Sequence, residues 1–473
     1  MDVLTPPRRP RLALASLYAG VFLPPLDYFI VNLALPAMQA GLHSSQAQLQ
    51  LTISAYALAY AVTLITGGRL GDLFGRRRLF LLGMSAFVVA SALCGLAETP
   101  SLLIAGRVLQ GASAALLTPQ VLASIRASFP PAAQVRLMGI YGFVFGLASV
   151  IGQIGGGALI EWSIWGLGWR AVFLLNIPIG LSALAGSWLF LPESRTASGR
   201  RVDLPGMLAL TAALSLLIVP VTMGREMHWP PWTLWCLVSS LPAFALFIQV
   251  ERGTARRGRE PLVDLAVLSR GPVATGLVLA FLFYSIAAFF LTYGIDLQDG
   301  LGWTPLRAGL ALAPYGAGYV LGPLATPWLA RRIGHALLPV GFGMLVMGFA
   351  VCARRLGPDG PDLVFNLGLV LAGTGQGLVL PSLQRIVLAR VEPRHAGMTA
   401  GAIVATLYIG AACATTVIGG AFFTALGAAD LANRAVRYAH AMRVGLDLMV
   451  APLVAGLLIS LWALAKHGRR GGV

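Results

Sequence analysis

Fourteen predominantly apolar stretches follow one another along the chain, near 12–37, 49–68, 79–97, 101–122, 137–160, 171–191, 207–224, 231–250, 273–295, 306–329, 336–353, 363–384, 398–425 and 443–465. Most approach the roughly 20 residues at which an apolar helix crosses a bilayer core. The pattern predicts an all-α integral membrane protein of about 14 transmembrane helices. Two longer charged connections, 192–203 and 251–260, set apart the pair at 207–224 and 231–250. The predicted organisation is an N-terminal six-helix half at 1–195, an inserted two-helix linker region at 196–262 and a C-terminal six-helix half at 263–473. The halves are expected to face each other across a central cavity, although no strong repeat between them is visible at the level of identity. The first stretch has no small-residue cleavage site and leads into a proline-containing turn, so it reads as a retained first span.

Composition strengthens this reading. The chain is 57% hydrophobic and only 11% charged, with a mean hydropathy of +0.79. Soluble domains carry about 25% charged residues. The net charge is +16, and Lys466 is the sole lysine. A basic chain can bind nucleic acid, but here the arginines are spread over short turns. If every stretch crosses and the N-terminus lies inside, one side holds about 25 basic residues and the other about 8. That asymmetry follows the positive-inside rule and places both termini in the cytoplasm. The cysteines Cys94, Cys236, Cys352 and Cys413 are far apart in apolar runs, so neither a disulfide framework nor a metal site is expected. There is no phosphate-binding loop, cofactor loop or nucleophile–base pair. The chain is expected not to be an enzyme and to need no cofactor, with an ion gradient driving any uphill transport.

Charge is concentrated at a few places. The stretch "GGRLGDLFGRRR" (67–78) puts five charges and four glycines between two spans. Its arginines anchor the turn inside, but its aspartate has no topological use. This stretch, with Gly68, Gly71, Asp72, Gly75 and Arg76, resembles the signature between the second and third spans of the major facilitator superfamily. The resemblance implies a gating loop in which Asp72 pairs with Arg76 or caps a helix of the other half. "LDYFIVNLALP" (26–36) resembles the first-span pattern of the superfamily's fourteen-span drug:proton antiporter branch, with Phe29 in place of its usual threonine. An aspartate inside a span costs about 2.5–3.5 kcal/mol on insertion scales, so Asp27 is a candidate for binding protons or cationic substrate, with Asn32 nearby.

"GRVLQGASAALLTPQ" (106–120) resembles the branch's fourth-span motif. Arg107, Gln110 and Gly111 share one helix face. The resemblance associates Arg107 with proton coupling and makes Asp27 its candidate partner; a structural ion pair is the alternative. "GLASVIGQIGGGALIEW" (146–162) resembles the antiporter motif of the fifth span. Gly152, Gly156 and Gly157 match it, and Gln153 stands where proline is usual. "WRAVFLLNIPIG" (169–180), "LQDGLGWTPLRAGLALAP" (297–314) and "GTGQGLVLPSL" (373–383) extend the resemblance, and the Asn176-Ile-Pro178 segment reads as a helix kink. Cavity candidates are Tyr28, Gln153 and Asp296, although Asp296 and Asp299 also read as the aqueous end of the span at 273–295.

The function these readings imply is proton-coupled efflux of amphipathic or cationic small molecules by alternating access, from a bacterial inner membrane. Its partners would be lipid, substrate and protons; a periplasmic adaptor is not evident in the sequence. Export of one metabolite made by the cell, such as an antibiotic or siderophore, is a second reading. A non-transporting membrane sensor is a third, opposed by the retention of Asp27, Arg107 and Asp72.

Overall fold

A computed structural model describes residues 9–163, 166–194, 203–224, 227, 229–258, 261–392, 396–428 and 433–468. Among them, the chain is a succession of helices. The first group comprises α1 (Pro10–Leu42), α2 (Gln46–Phe74), α3 (Arg76–Gly95), α4 (Pro100–Ser128), α5 (Pro131–Trp162), α6 (Ala171–Leu174) and α7 (Asn176–Phe190). Next come α8 (Leu204–Met223) and α9 (Pro231–Arg256). The last group comprises α10 (Leu265–Leu268), α11 (Gly271–Phe283), α12 (Ala287–Ile295), α13 (Pro305–Leu310), α14 (Ala313–Ile333), α15 (Leu337–Arg355), α16 (Leu363–Leu388), α17 (Ala396–Ala428) and α18 (Arg434–Gly468). Twelve segments are long and apolar enough to cross a membrane. They include α6 joined to α7 and α11 joined to α12, but neither α2 nor α14 by itself.

The helix starts are legible in sequence. Ser45 and Gln48 form a capping box at α2, and Thr99, Asp203, Asp264, Thr304 and Asp362 cap α4, α8, α10, α13 and α16. Asp362 accepts from the amide of Phe365 at 2.7 Å and pairs with Arg355. These contacts hold its carboxyl below the ordinary range. A depressed carboxylate stabilises the fold above its unfolded pKa, and that contribution is lost as pH falls through its folded value. Wild type should therefore outlast Asp362→Asn in thermal unfolding at neutral pH, and the gap should close in acid. The proline-containing turn expected in the first stretch is absent. Pro24, Pro25 and Pro36 all lie inside the continuous α1, and the Tyr56 hydroxyl of α2 donates to the Pro24 carbonyl at 3.1 Å.

Within the first group, α1 packs on α5 and α7, and α4 on α2 and α3. In the last group α16 packs on α14 and α15, and α17 and α18 pack on each other and on α11. A likeness invisible in sequence identity emerges here. A Cβ on Gly111 of α4 would overlap the carbonyl of Tyr56 in α2, and one on Gly373 of α16 would overlap the carbonyl of Tyr315 in α14. Each helix pair closes through glycine on a tyrosine backbone. Gly111→Ala or Gly373→Ala should therefore cost about 1–3 kcal/mol through overpacking, read as a lowered unfolding temperature of the purified protein.

The groups meet along α2–α17, α5–α13, α5–α14 and α1–α12. Their seam is aromatic: the Tyr408 ring of α17 lies 4.1 Å from Tyr60 and 6.0 Å from Tyr28, centroid to centroid. Toward the ends of α1 and α5, Gln298 donates to the Leu33 carbonyl at 3.1 Å and the Leu306 amide donates to Glu161 at 3.1 Å. These contacts close the groups on each other at the arginine-poor face. Helices α8 and α9 pair with one another, and α8 rests on α2 and α17, through a small apolar cluster of its own around Leu214, Ile218 and Phe247.

Candidate functional site

Asp27 lies midway along α1 and Arg107 in the second turn of α4, both without solvent exposure. Their side chains form an ion pair. Gln110, one turn after Arg107, donates to Asp27 Oδ1 at 2.9 Å and to Ser91 Oγ at 2.9 Å. Asn176 donates to the same Asp27 oxygen at 2.7 Å. Arg107 also donates to the Thr52 carbonyl and to Gln110 Oε1, each at 2.9 Å, and its guanidinium lies 4.4 Å from the centroid of the Tyr56 ring. Four helices and α1 thus converge on one carboxylate. The Cys94 thiol donates to Gln110 Oε1 at 3.4 Å and closes the α3 side.

The chemistry follows from donor counting. Three side chains from two helices donate to Asp27, so the carboxylate is matched as an anion. Arg107 keeps a backbone carbonyl, an amide oxygen and an aromatic face if that pair is broken. Its charge is then not stranded, which is the usual penalty of separating buried ions. The guanidinium is therefore held by more than its ion pair.

Asn176 and Ser91 were not among the residues singled out in the sequence. Asn176 was read as part of a kink, and the chain does break there, at Leu175 between α6 and α7. The signal available was an asparagine in a span beside a proline. Asn32 does not join the cluster: its amide donates to its own helix's carbonyls, those of Tyr28 at 3.4 Å and Phe29 at 3.3 Å. Tyr28 is buried at the aromatic seam.

The motif glycines do packing work. Gly152 faces the Leu26 carbonyl, 2.8 Å from where a Cβ would sit, and Gly156 faces Ile30, so α5 lies directly on the Asp27 stretch of α1. Gly157 abuts Pro305 and Leu306 of α13 in the other group. The side chains of Asp72 and Gln153 lie outside the described residues. Around the loop at 67–78, Gly71 packs on Gln120 of α4, Gly68 faces Pro119, and Gly75 adopts φ +105°, a conformation that favours glycine. The Arg76 amide donates to the Ser194 carbonyl at 3.1 Å, and its side chain donates to the Ala123 carbonyl at 3.2 Å. Glu193, unremarked in the sequence, accepts from the Arg77 amide at 3.2 Å and reaches Arg78 at 3.7 Å. These contacts tie the loop to α4 and to the end of α7, within its own group.

Asp296 departs from the expected aqueous end. The span at 273–295 continues past it in a π turn, Asp296–Gly300, and Asp296 is 3% exposed. Burial overrides the charge pattern here, because α18 packs over the turn.

The Major Facilitator Superfamily model matches residues 17–415. The chain belongs to the Major Facilitator Superfamily. It is thus a multi-pass membrane protein of a transporter family. It is 36% identical over 413 residues to a probable actinorhodin transporter of Streptomyces coelicolor, covering 86% of this chain and 72% of that protein. It is 32% identical over 418 residues to a tetracenomycin C resistance and export protein of Streptomyces glaucescens, covering 87% and 76%. In fold it is similar to a bacterial homolog of the human lysosomal transporter Spinster in an inward-facing, unoccupied conformation, at TM-score 0.65 and 19% identity, covering 96% of this chain and 95% of that one.

Proposed function

We propose that this superfamily member is a proton-coupled exporter of amphipathic small molecules, working by alternating access. The observation that carries the reading is the sealed Asp27–Arg107–Gln110–Asn176 cluster. An ionisable pair in a span marks a proton or ion pathway, and this one has somewhere to leave its cation when the aspartate is protonated. In this reading α2 and α14 also cross, giving fourteen spans. Residues 1–195 and 263–473 are the two halves, and 196–262 is an inserted pair leaning on their seam. The arginine-rich face is cytoplasmic with both termini, the membrane is a bacterial inner membrane, and the closed arginine-poor face faces outward. The loop at 67–78 gates the cytoplasmic side, anchored by Glu193 and Gln120.

Relatives named for the transport or export of actinorhodin and tetracenomycin C favour a second reading of the substrate: one antibiotic-like metabolite rather than a broad range of compounds. The test is proton movement in liposomes containing a trapped pH dye under an imposed pH gradient, with lipophilic cations and aromatic antibiotics added in turn. Proton movement with many compounds supports broad efflux, and movement with one antibiotic class supports the dedicated exporter. Binding without proton movement would sink the coupled reading.

A further inference from the structure

In the Asp27 cluster the carboxylate is fully paired. At the arginine-poor end of the span at 273–295 it is otherwise. Asp296, 3% exposed, takes part in no side-chain hydrogen bond or ion pair among the described residues. One turn earlier on the same helix face, the Tyr293 hydroxyl is buried without an acceptor. From Asp296 onward the helix loosens into the π turn Asp296–Gly300, a distortion that concentrates at functional sites.

The charged and titratable groups around Asp296 are engaged elsewhere or unpaired with it. On its own turn, Asp299 faces Arg434 of α18. The Tyr438 ring of α18 packs on Gly300 and lies 5.8 Å from the Arg434 guanidinium, with Arg437 beside it. Arg443 of α18 donates to the Leu356 carbonyl at 2.8 Å. Arg307 of α13 stacks on Trp303, 3.9 Å from its centroid. Cys352 of α15 lies near Tyr293, and Arg355 and Asp362 are paired with each other. A bare carboxylate buried this way costs several kcal/mol as an anion.

The π turn is also part of the closure. Gln298 within it donates to the Leu33 carbonyl of α1, and Gly294 faces Asn32 and Leu33. These positions follow Asp27 on the same helix. Opening the arginine-poor face must separate this segment from α1 and admit water to Asp296.

We propose that Asp296 is a second proton-binding site and a lock on the arginine-poor face. The face closes when Asp296 takes up a proton from that side and opens when the proton leaves to water there. The ligand is the proton. This rests on the proposed transport reading for its purpose, but not for its test.

The test uses the full-length protein in proteoliposomes without substrate. Infrared difference titration should show a carboxylic-acid C=O band that disappears as pH rises, is absent from Asp296→Asn, survives in Asp27→Asn and shifts in Tyr293→Phe. In parallel, amide hydrogen exchange, corrected for its intrinsic pH dependence, is followed in peptides covering 31–42 and 294–304. As pH rises toward the midpoint of that titration, opening should rise by up to about tenfold per pH unit, as release of one proton requires, and level off above it. Asp296→Asn should stay protected at every pH, and Asp296→Glu should restore the rise. A wild-type protein with no titrating Asp296 band, or with exchange independent of pH, overturns the lock. So does an Asn variant that opens with pH as wild type does. If the Asn variant fails to fold, the wild-type titration and the Tyr293→Phe shift decide. A protein that shows this titration but moves no protons with any substrate sinks the exporter reading and leaves the site standing.

Discussion

Asp27→Asn is expected to lower substrate-driven proton movement at least about 100-fold, the lower range for removing a group that transfers a proton. Exchange of labelled for unlabelled substrate across the same membrane should continue. The reason lies in the donor arrangement. Asparagine keeps an oxygen to accept from Arg107, and the guanidinium retains the Thr52 carbonyl, the Gln110 amide oxygen and the Tyr56 ring. The fold should therefore survive while the cluster's carboxylate is gone. The amide NH2 meets the donors of Gln110 and Asn176, so a modest loss of thermal stability accompanies it. Proton movement that persists in this variant would move coupling away from α1. Loss of both exchange and proton movement in a folded variant would make Asp27 a substrate contact first.

Removing the other member should behave differently. Arg107→Met leaves Asp27 buried with two amide donors and no cation, a defect of about 3–5 kcal/mol for a broken buried pair. The expected result is a large fall in unfolding temperature at neutral pH, partly relieved in acid as Asp27 is protonated. Adding Asp27→Asn should recover most of the loss, because no buried charge then remains. Unfolding measured for both single variants and the double variant tests this. Strictly additive losses would show that the two residues do not interact, against the geometry of the ion pair.

These expectations were only partly visible in the chain. Asp27, Arg107 and Gln110 stand out because a charge or amide in an apolar run is costly, and the cost marks the residue wherever the helix lies. Asn176 and Ser91 carry no such mark. A serine or asparagine in a span satisfies itself on its own helix as readily as Asn32 does, and only the approach of α3 to α4 and of α7 to α1 brings these two into the cluster. Glu193 is likewise an ordinary loop acid until the turn after α7 meets the loop after α2.

What the sequence determined by itself is the apolar solvent and the location of the expensive charges, because apolar length and the cost of a charge act on each segment independently of its neighbours. The tertiary structure decided which buried polar groups meet and which stand alone. Asp27 is paired by residues 80–149 positions away, and Asp296 is buried because α18 covers a π turn that the charge pattern assigned to water. A hydrogen bond or a desolvated carboxylate depends on ångström-scale approach between segments far apart in the chain, and hydropathy along one segment carries no information about that distance.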